Sequence, residues 1–341
     1  MNDALDLAEL RASIRAVLDR EADAEHVRRH VAGDAAHDEA LARSVAPLGW
    51  AGLAIAEDDG GLGLGIPALA VLHEELGRGP APLPLLSTLL AADALGDAPA
   101  EIRSAWLPRI AAGEAFAAFA PGSFAGERID GRIEHVLDGQ SAACFVIGLA
   151  GGWAGVVARD APGVTVEATP CVDRTRSLAA LVLRQAPVAR FKADFARLER
   201  HAALGLACDS VGGAEAVLGK TVAFLNTRIQ FGQPIGKFQA LKHRAAEHKL
   251  RLEEAQALVA HAVALDSHNP AALAAALLAQ ATATSAYLAI ADDSVQLHGG
   301  MGFTWEQECH HYLKRAWLNR SLFGGETQAL DRAARLLTEV A

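Results

Sequence analysis

The stretch Arg228-Ile229-Gln230-Phe231-Gly232-Gln233-Pro234-Ile235-Gly236-Lys237-Phe238-Gln239 closes one long helical pattern and opens another. It sets an arginine, an aromatic residue and amides beside a Gly/Pro turn. Glycine lets a backbone approach a ligand closely, and proline fixes the bend. Arginine can fork onto a phosphate or pyrophosphate, while the aromatic ring offers a stacking face. The combination suits a nucleotide-like cofactor. An ordinary helix-helix turn with a solvated arginine has the same composition, so a second stretch has to decide.

That stretch is Gln296-Leu297-His298-Gly299-Gly300-Met301-Gly302-Phe303-Thr304, again at the end of an apolar helical run. The two together, in this order, resemble the acyl-CoA dehydrogenase family of flavoproteins, which carries R-x-x-F-G-x-x-x-x-x-x-Q followed by Q-x-x-G-G-x-G-[FY]. The likeness extends back through Leu48-Gly49-Trp50-Ala51-Gly52-Leu53, Gly60-Gly61-Leu62-Gly63 and Glu74-Glu75-Leu76-Gly77-Arg78. It covers most of the chain and is weakest in the middle.

The resemblance implies a mostly α fold with a small β-domain (α+β). Its parts are an N-terminal helical domain over residues 1–113, a shortened middle β-domain over 114–192, and a C-terminal helical bundle over 193–341 that also builds the oligomer. It further implies FAD as cofactor and α,β-dehydrogenation of an acyl-CoA thioester. Electrons would pass to electron-transfer flavoprotein or a similar acceptor. Arg228, Gln230, Phe231, Ile235, Phe238, Gln239, Gln296, Gly299 and Gly300 match family positions that hold the ADP half of FAD across a dimer.

Composition agrees with a multi-domain soluble chain: 341 residues at 51% hydrophobic allow a large core. A net charge of −10 repels polyanions and gives no support to nucleic-acid binding. The N-terminus begins acidic, without a basic n-region or apolar h-region, and reads as cytosolic. The most apolar stretch, residues 270–291, is mostly alanine interrupted by Gln280, Thr282, Thr284 and Ser285 and flanked by Asp292-Asp293, which describes a bundle helix rather than a membrane insertion. Cys144, Cys171, Cys208 and Cys309 form no C-x-x-C pair and read as reduced core thiols.

In chain order, residues 3–45 read as helices with one apolar face through Leu5, Leu7, Leu10, Ile14 and Leu18. The glycine-dense residues 54–66 lack the G-x-G-x-x-G spacing and read as a connecting loop. A helix from Pro67 stops at Gly77 before the rigid Pro80-Ala81-Pro82-Leu83-Pro84. Short β-rich runs follow around Ile133, Val136 and Leu137, then over 144–149 and 155–158. The family's β-domain carries a Pro-Gly-x-Gly-Ser-Asp loop and a Trp-x-Thr strand. Residues 120–126 match the first in part, and the second has no match. Long helices are expected to Thr227, over 240–267 and over 270–297, and shorter ones over 306–323 and 327–340. Gly205, Gly212, Gly213, Ala214 and Ala216 allow close helix crossing in the first of these.

The family's chemistry needs a carboxylate with a raised pKa to take the α-proton, and donors on the thioester oxygen. The flavin supplies the redox chemistry. The commoner family place for the base, before Gly-Thr in a Y-E-G-T segment, falls on Phe323, and a one-residue slide offers Leu322 or Gly324. The other place, on the helix before Arg228, falls on Ala202. Glu199, one helical turn away on the same face, and Glu326, three residues beyond Phe323, are the available carboxylates; each also reads as a surface acid. Glu306-Gln307-Glu308-Cys309-His310-His311 contains ligand types, but neighbours on a helix diverge and no second ligand group follows. It is assigned no metal and reads as a partly exposed structural segment.

Two function classes stay open: a flavin-dependent acyl-CoA dehydrogenase with an unusually placed glutamate, or a catalytically incomplete partner subunit that completes a neighbour's FAD site. A non-flavin acyl-CoA binding protein on the same scaffold is a third. Chains of this short type resemble the smaller subunits of heteromeric acyl-CoA dehydrogenases acting on steroid or polycyclic side chains. A homo- or hetero-oligomer, dimer or tetramer, is expected, because the alanine-rich helices between 240 and 297 offer more apolar face than one bundle covers.

Overall fold

The computed structural model describes residues 6–340. Leu5 of the expected N-terminal face lies outside them. Asp6 caps helix α1 (Leu7–Glu21) by accepting from the backbone N–H groups of Ala8 and Glu9. The apolar face of α1 is buried only at Ile14 and Leu18; Leu10 is half-buried and Leu7 exposed. Helices α2 (Ala24–Ala32) and α3 (Glu39–Val45) follow, then the glycine-dense connection with a single 3-10 turn at Glu57–Asp59. Helices α4 (Gly65–Arg78), α5 (Leu85–Gly96) and α6 (Ala100–Ala111) complete the N-terminal helical run.

Seven strands come next: β1 (Phe116–Phe124), β2 (Arg128–Leu137), β3 (Ala142–Leu149), β4 (Trp153–Ala158), β5 (Val164–Thr169), β6 (Leu178–Pro187) and β7 (Ala189–Lys192). They form a four-stranded sheet ordered β1-β3-β4-β7, parallel only between β1 and β3, and an antiparallel sheet ordered β2-β6-β5. Phe145, Ile147 and Val157 of the first sheet share one core with Ile133, Leu181 and Leu183 of the second. Residues 120–126 are not a free loop: β1 runs on through Phe124. Pro121 is tolerated there because β1 is an edge strand and its register shifts between Ala120 and Phe124.

The C-terminal part holds α7 (Phe195–Thr227), the short strands β8 (Ile229–Gln230) and β9 (Gln233–Pro234), α8 (Gln239–Ala264), α9 (Ala272–Leu297), α10 (Cys309–Ser321) and α11 (Gly325–Val340). The described residues divide into two compact units, one of residues 29–69 and 82–201, the other of residues 6–28, 70–81 and 202–340.

In the second unit the small residues of α7 do what their spacing predicts. A Cβ on Gly212 would overlap the backbone of Glu74, and one on Gly77 that of Asp209, so α4 and α7 cross at backbone contact. Beside that crossing, Arg315 of α10 and Asp209 of α7 form a fully buried ion pair, with Nη2 donating at 2.6 Å. Asn319 donates to the same carboxylate at 2.7 Å.

Both α7 and α9 are long and apolar enough to cross a membrane, yet 83% and 67% of their most apolar windows are buried inside the fold, as core helices are. Cys144, Cys208 and Cys309 are buried free thiols, and burial pushes Cys144 up to about 12. Cys171 departs from the core reading, being only half-buried after β5.

Candidate functional site

Helix α7 ends with Arg228 N–H donating to Phe224 O at 2.8 Å, and the chain then turns back on itself in two residues. Strand β8 pairs with β9, Ile229 against Pro234 and Gln230 against Gln233. Phe231 (φ 52°) and Gly232 (φ 78°) form the apex. Positive φ at both central residues is the type I′ hairpin geometry, easy for glycine and costly for phenylalanine. Ile235 N–H donates to Arg228 O at 2.8 Å and closes the loop; a 3-10 turn at Ile235–Lys237 leads into α8. The Phe231 ring is 91% exposed and meets Phe238 edge to face at 6.1 Å, so an aromatic surface is held out in solvent by a strained backbone. Arg228 is exposed and makes no salt bridge among the described residues. Gln239 opens α8, whose N-terminus carries the positive end of the helix dipole.

The second stretch ends α9. Gln296 is exposed on its last turn, and Gly299 (φ 61°) and Gly300 begin a 3-10 turn to Phe303. A Cβ at Gly299 or Gly300 would meet nothing within 4 Å, whereas one at Gly302 would run into Val295. The glycines therefore differ in kind: Gly302 serves packing, and Gly299 and Gly300 present bare backbone. His298, buried, stacks on Phe224 with ring centroids 4.4 Å apart. Its Nδ1 lies 2.8 Å from Ser294 O and 3.4 Å from the Cys309 sulfur. Because Phe224 stands one turn before Arg228, this stack brings both stretches to the same end of one bundle. Sequence reasoning missed Phe224 and His298 as its hinge, although His298 sits inside the quoted stretch and Phe224 lies at helical spacing from Arg228.

In kind, the set fits a nucleotide diphosphate: a free guanidinium, an exposed ring, amides, a helix N-terminus and two glycines around open space. Each of these faces solvent, as a surface completed from outside would.

The positions expected for a catalytic carboxylate are differently made. Ala202 is buried in α7. Phe323 sits half-buried in a 3-10 turn with left-handed backbone (φ 48°, ψ 46°), followed by Gly324 and Gly325, both at positive φ. Leu322 is buried. Glu326 is tied to Arg320, whose Nε and Nη2 donate at 2.7 and 2.6 Å. Glu199 is half-buried on α7. None of these five positions joins the Arg228 and Gly299 surfaces through a described contact.

The run 306–311 is more enclosed than expected. Cys309, His310 and His311 are buried, with the two imidazoles tilted against each other at 4.0 Å and Trp305 edge-on to His310 at 5.1 Å. Burial, reinforced by nearby Lys314, holds His310 down at about 4; burial, then His310 and Lys314, holds His311 at about 3.

Comparison with known proteins gives matches at both ends of the chain. Residues 6–114 match the acyl-CoA dehydrogenase N-terminal domain and residues 197–337 the acyl-CoA dehydrogenase C-terminal domain. The chain is 32% identical to acyl-CoA dehydrogenase IpdE2 of Mycolicibacterium smegmatis, over 95% of this chain and 96% of that one. It is 35% identical to acyl-CoA dehydrogenase FadE34 of Mycobacterium tuberculosis over 86% of this chain, and spans 41% of that longer protein. Among solved structures, a chain of the ChsE4-ChsE5 complex from Mycobacterium tuberculosis superposes with a TM-score of 0.89 at 25% identity, 98% of each chain being covered.

Proposed function

This chain belongs to the acyl-CoA dehydrogenase family, oxidoreductases acting on CH–CH groups, and from that premise we propose that it is the subunit without a base in a heteromeric acyl-CoA dehydrogenase. The observation that carries this reading is that both places for the family's glutamate are filled by groups that cannot take a proton, Ala202 and Phe323, while the nearby Glu326 is engaged by Arg320. A related subunit would bring the carboxylate; this chain would bring the nucleotide half-site. The name of the ChsE4-ChsE5 complex, which joins two chains, supports the heteromeric form.

FAD, when bound, supplies the hydride acceptor. The residues that would hold its ADP part are Arg228, Gln230, Phe231, Ile235, Phe238, Gln239, Gln296, Gly299 and Gly300. Arg228 would fork onto the diphosphate, and Phe231 would stack. Gly299 and Gly300 would let backbone N–H groups approach to hydrogen-bond distance, where a side chain would stand in the way. Burial of the same surface by the partner would cover Phe231 and exclude water from the ion pair, strengthening it.

The test is anaerobic flavin bleaching by acyl-CoA, first with this chain alone and then with a co-expressed relative that carries the glutamate. Alone it should bleach little, since a positioned base contributes about a hundredfold to ten-thousandfold in rate. In the complex bleaching should be fast and unchanged by Glu199→Gln or Glu326→Gln here. Rapid bleaching by the lone chain, lost in either variant, would overturn the assignment and identify the base.

A further inference from the structure

The second unit has a cavity of about 430 Å³ walled by α1, the start of α2, the turn after α4, α7 and α10. That is the size of a small-molecule site. Leu18, Val27 and Pro80 give it an apolar floor, and Gly79 and Gly219 leave its sides bare.

Gly219 is the informative residue. It lies well inside α7, with no positive φ to require glycine, and a Cβ there would meet nothing within 4 Å. Alanine would fit and would stabilise the helix, so neither backbone nor packing explains the glycine. Gly219 is exposed and lines the cavity, so a large side chain there would crowd the cavity's edge.

Two further features make the space a site rather than a gap. His311, 3% exposed, forms part of the wall, and its Nε2 is buried with no hydrogen-bond partner. The charges on the wall do not balance. Arg15 is held by Glu75 at 2.7 Å, Arg78 by Glu75 at 2.9 Å, and Lys220 by Glu308 at 3.0 Å. Asp19 faces Arg78, and Asp23 caps His26 N–H at 2.8 Å. Glu215, one helical turn before Gly219 on the same face, has no salt-bridge partner among the described residues. Each cation has a carboxylate in direct contact, and Glu215, whose charge acts on Arg15 only through space, has no salt bridge of its own.

We propose that this cavity binds a small organic monocation, an amine with an apolar body, with its ammonium on Glu215 and its body over Leu18 and Val27 against the bare flank of α7 at Gly219. The site is separate from the Arg228 and Gly299 surfaces and involves none of the positions considered for the catalytic base.

The probe is phenethylammonium, titrated calorimetrically into the full chain, with phenylacetate as the same body of opposite charge. Saturable one-site binding is expected, with phenylacetate at least about tenfold weaker. Gly219→Leu should fill the cavity and weaken the ammonium probe by about tenfold or more, while its thermal midpoint stays at or above that of the native chain. Glu215→Gln should weaken the same probe severalfold and leave phenylacetate unchanged or tighter. Since Glu215 is exposed and makes no salt bridge among the described residues, that variant decides the matter if Gly219→Leu does not fold. Absence of saturable binding, phenylacetate binding as tightly, or native affinity in both variants overturns the proposal.

Discussion

Helix α7 carries polar side chains to two opposite fates. Near its middle, Asp209 is sealed at 0% exposure against Arg315 and Asn319, every contact made within the chain. Past its end, Arg228 is exposed and uncommitted beside a ring that is 91% exposed. A charge that serves the fold is neutralised where water cannot reach it, and a charge that serves a ligand is kept in water until the ligand arrives. The difference between the two arginines is what makes one structural and the other a candidate contact.

The comparison breaks most visibly at the sealed end. Arg315→Met would leave the Asp209 charge buried without the guanidinium that offsets it, and a loss of about 3–5 kcal/mol is expected, read as a shift in the denaturant midpoint. The paired replacement Arg315→Met with Asp209→Leu should recover much of that loss, because a buried ion pair is worth little relative to well-packed apolar groups. If the single variant were as stable as the native chain, Asp209 would have to be reachable by water.

At the open end the expectation reverses. Arg228→Ala should leave folding stability within about 0.5 kcal/mol, as surface changes do. In the assembled complex it should weaken FAD retention by roughly 1.5–3 kcal/mol, about tenfold to a hundredfold. Fluorescence of flavin released on dilution would measure it, and unchanged retention would remove Arg228 from the site.

The smallest effect at neutral pH belongs to His310 and His311. Both are held well below the ordinary histidine value, at about 4 and about 3, by burial. The unfolded chain therefore takes up protons at these positions before the folded one does. Above pH 6.5 neither state is charged there and the pair contributes no slope. As pH falls from 6.5 towards 4, protonation favours the unfolded chain and stability drops. Melting curves of a His310→Asn, His311→Asn variant should show a shallower fall over that window than the native chain. An equal slope would place the acid sensitivity elsewhere.

The long helices were legible because periodicity and glycine and proline breaks are local signals; α7 ends at Thr227, where the Gly/Pro turn begins to interrupt the pattern. That no carboxylate stands at Ala202 or Phe323, the two places where the resemblance expects one, was legible for the same reason, since it asks only which residue stands at a place. Strand β1 was hidden because Ala117, Ala118, Ala120, Pro121 and Gly122 carry little strand propensity, and pairing with β3 makes the strand. The Asp209 and Arg315 pair was hidden because its members are 106 residues apart. The enclosure of His310 and His311 was hidden because it depends on Trp305 folding back over them. The type I′ apex was the least legible part: phenylalanine seldom adopts positive φ, so nothing in Phe231-Gly232 announces it.

The crossing of α4 and α7 also sets a schedule. Gly77 and Gly212 approach each other's helices so closely that the second unit cannot settle until both exist, and the segments that carry them are separated by residues 82–201 of the first unit. At a synthesis rate of roughly 5–20 residues per second, the ribosome needs about 7–26 s after Gly77 to reach Asp209. Through that interval Arg11 and Arg15 can already find Glu75, since all three lie in the early segments. The flank of α4 meant for α7 meanwhile waits uncovered on the nascent chain. The first unit, complete at about His201, can fold while the second is still being made, so the exposed intermediate during translation is a half-built bundle attached to a finished sheet. Holding that flank until the C-terminal helices emerge is a task for a chaperone.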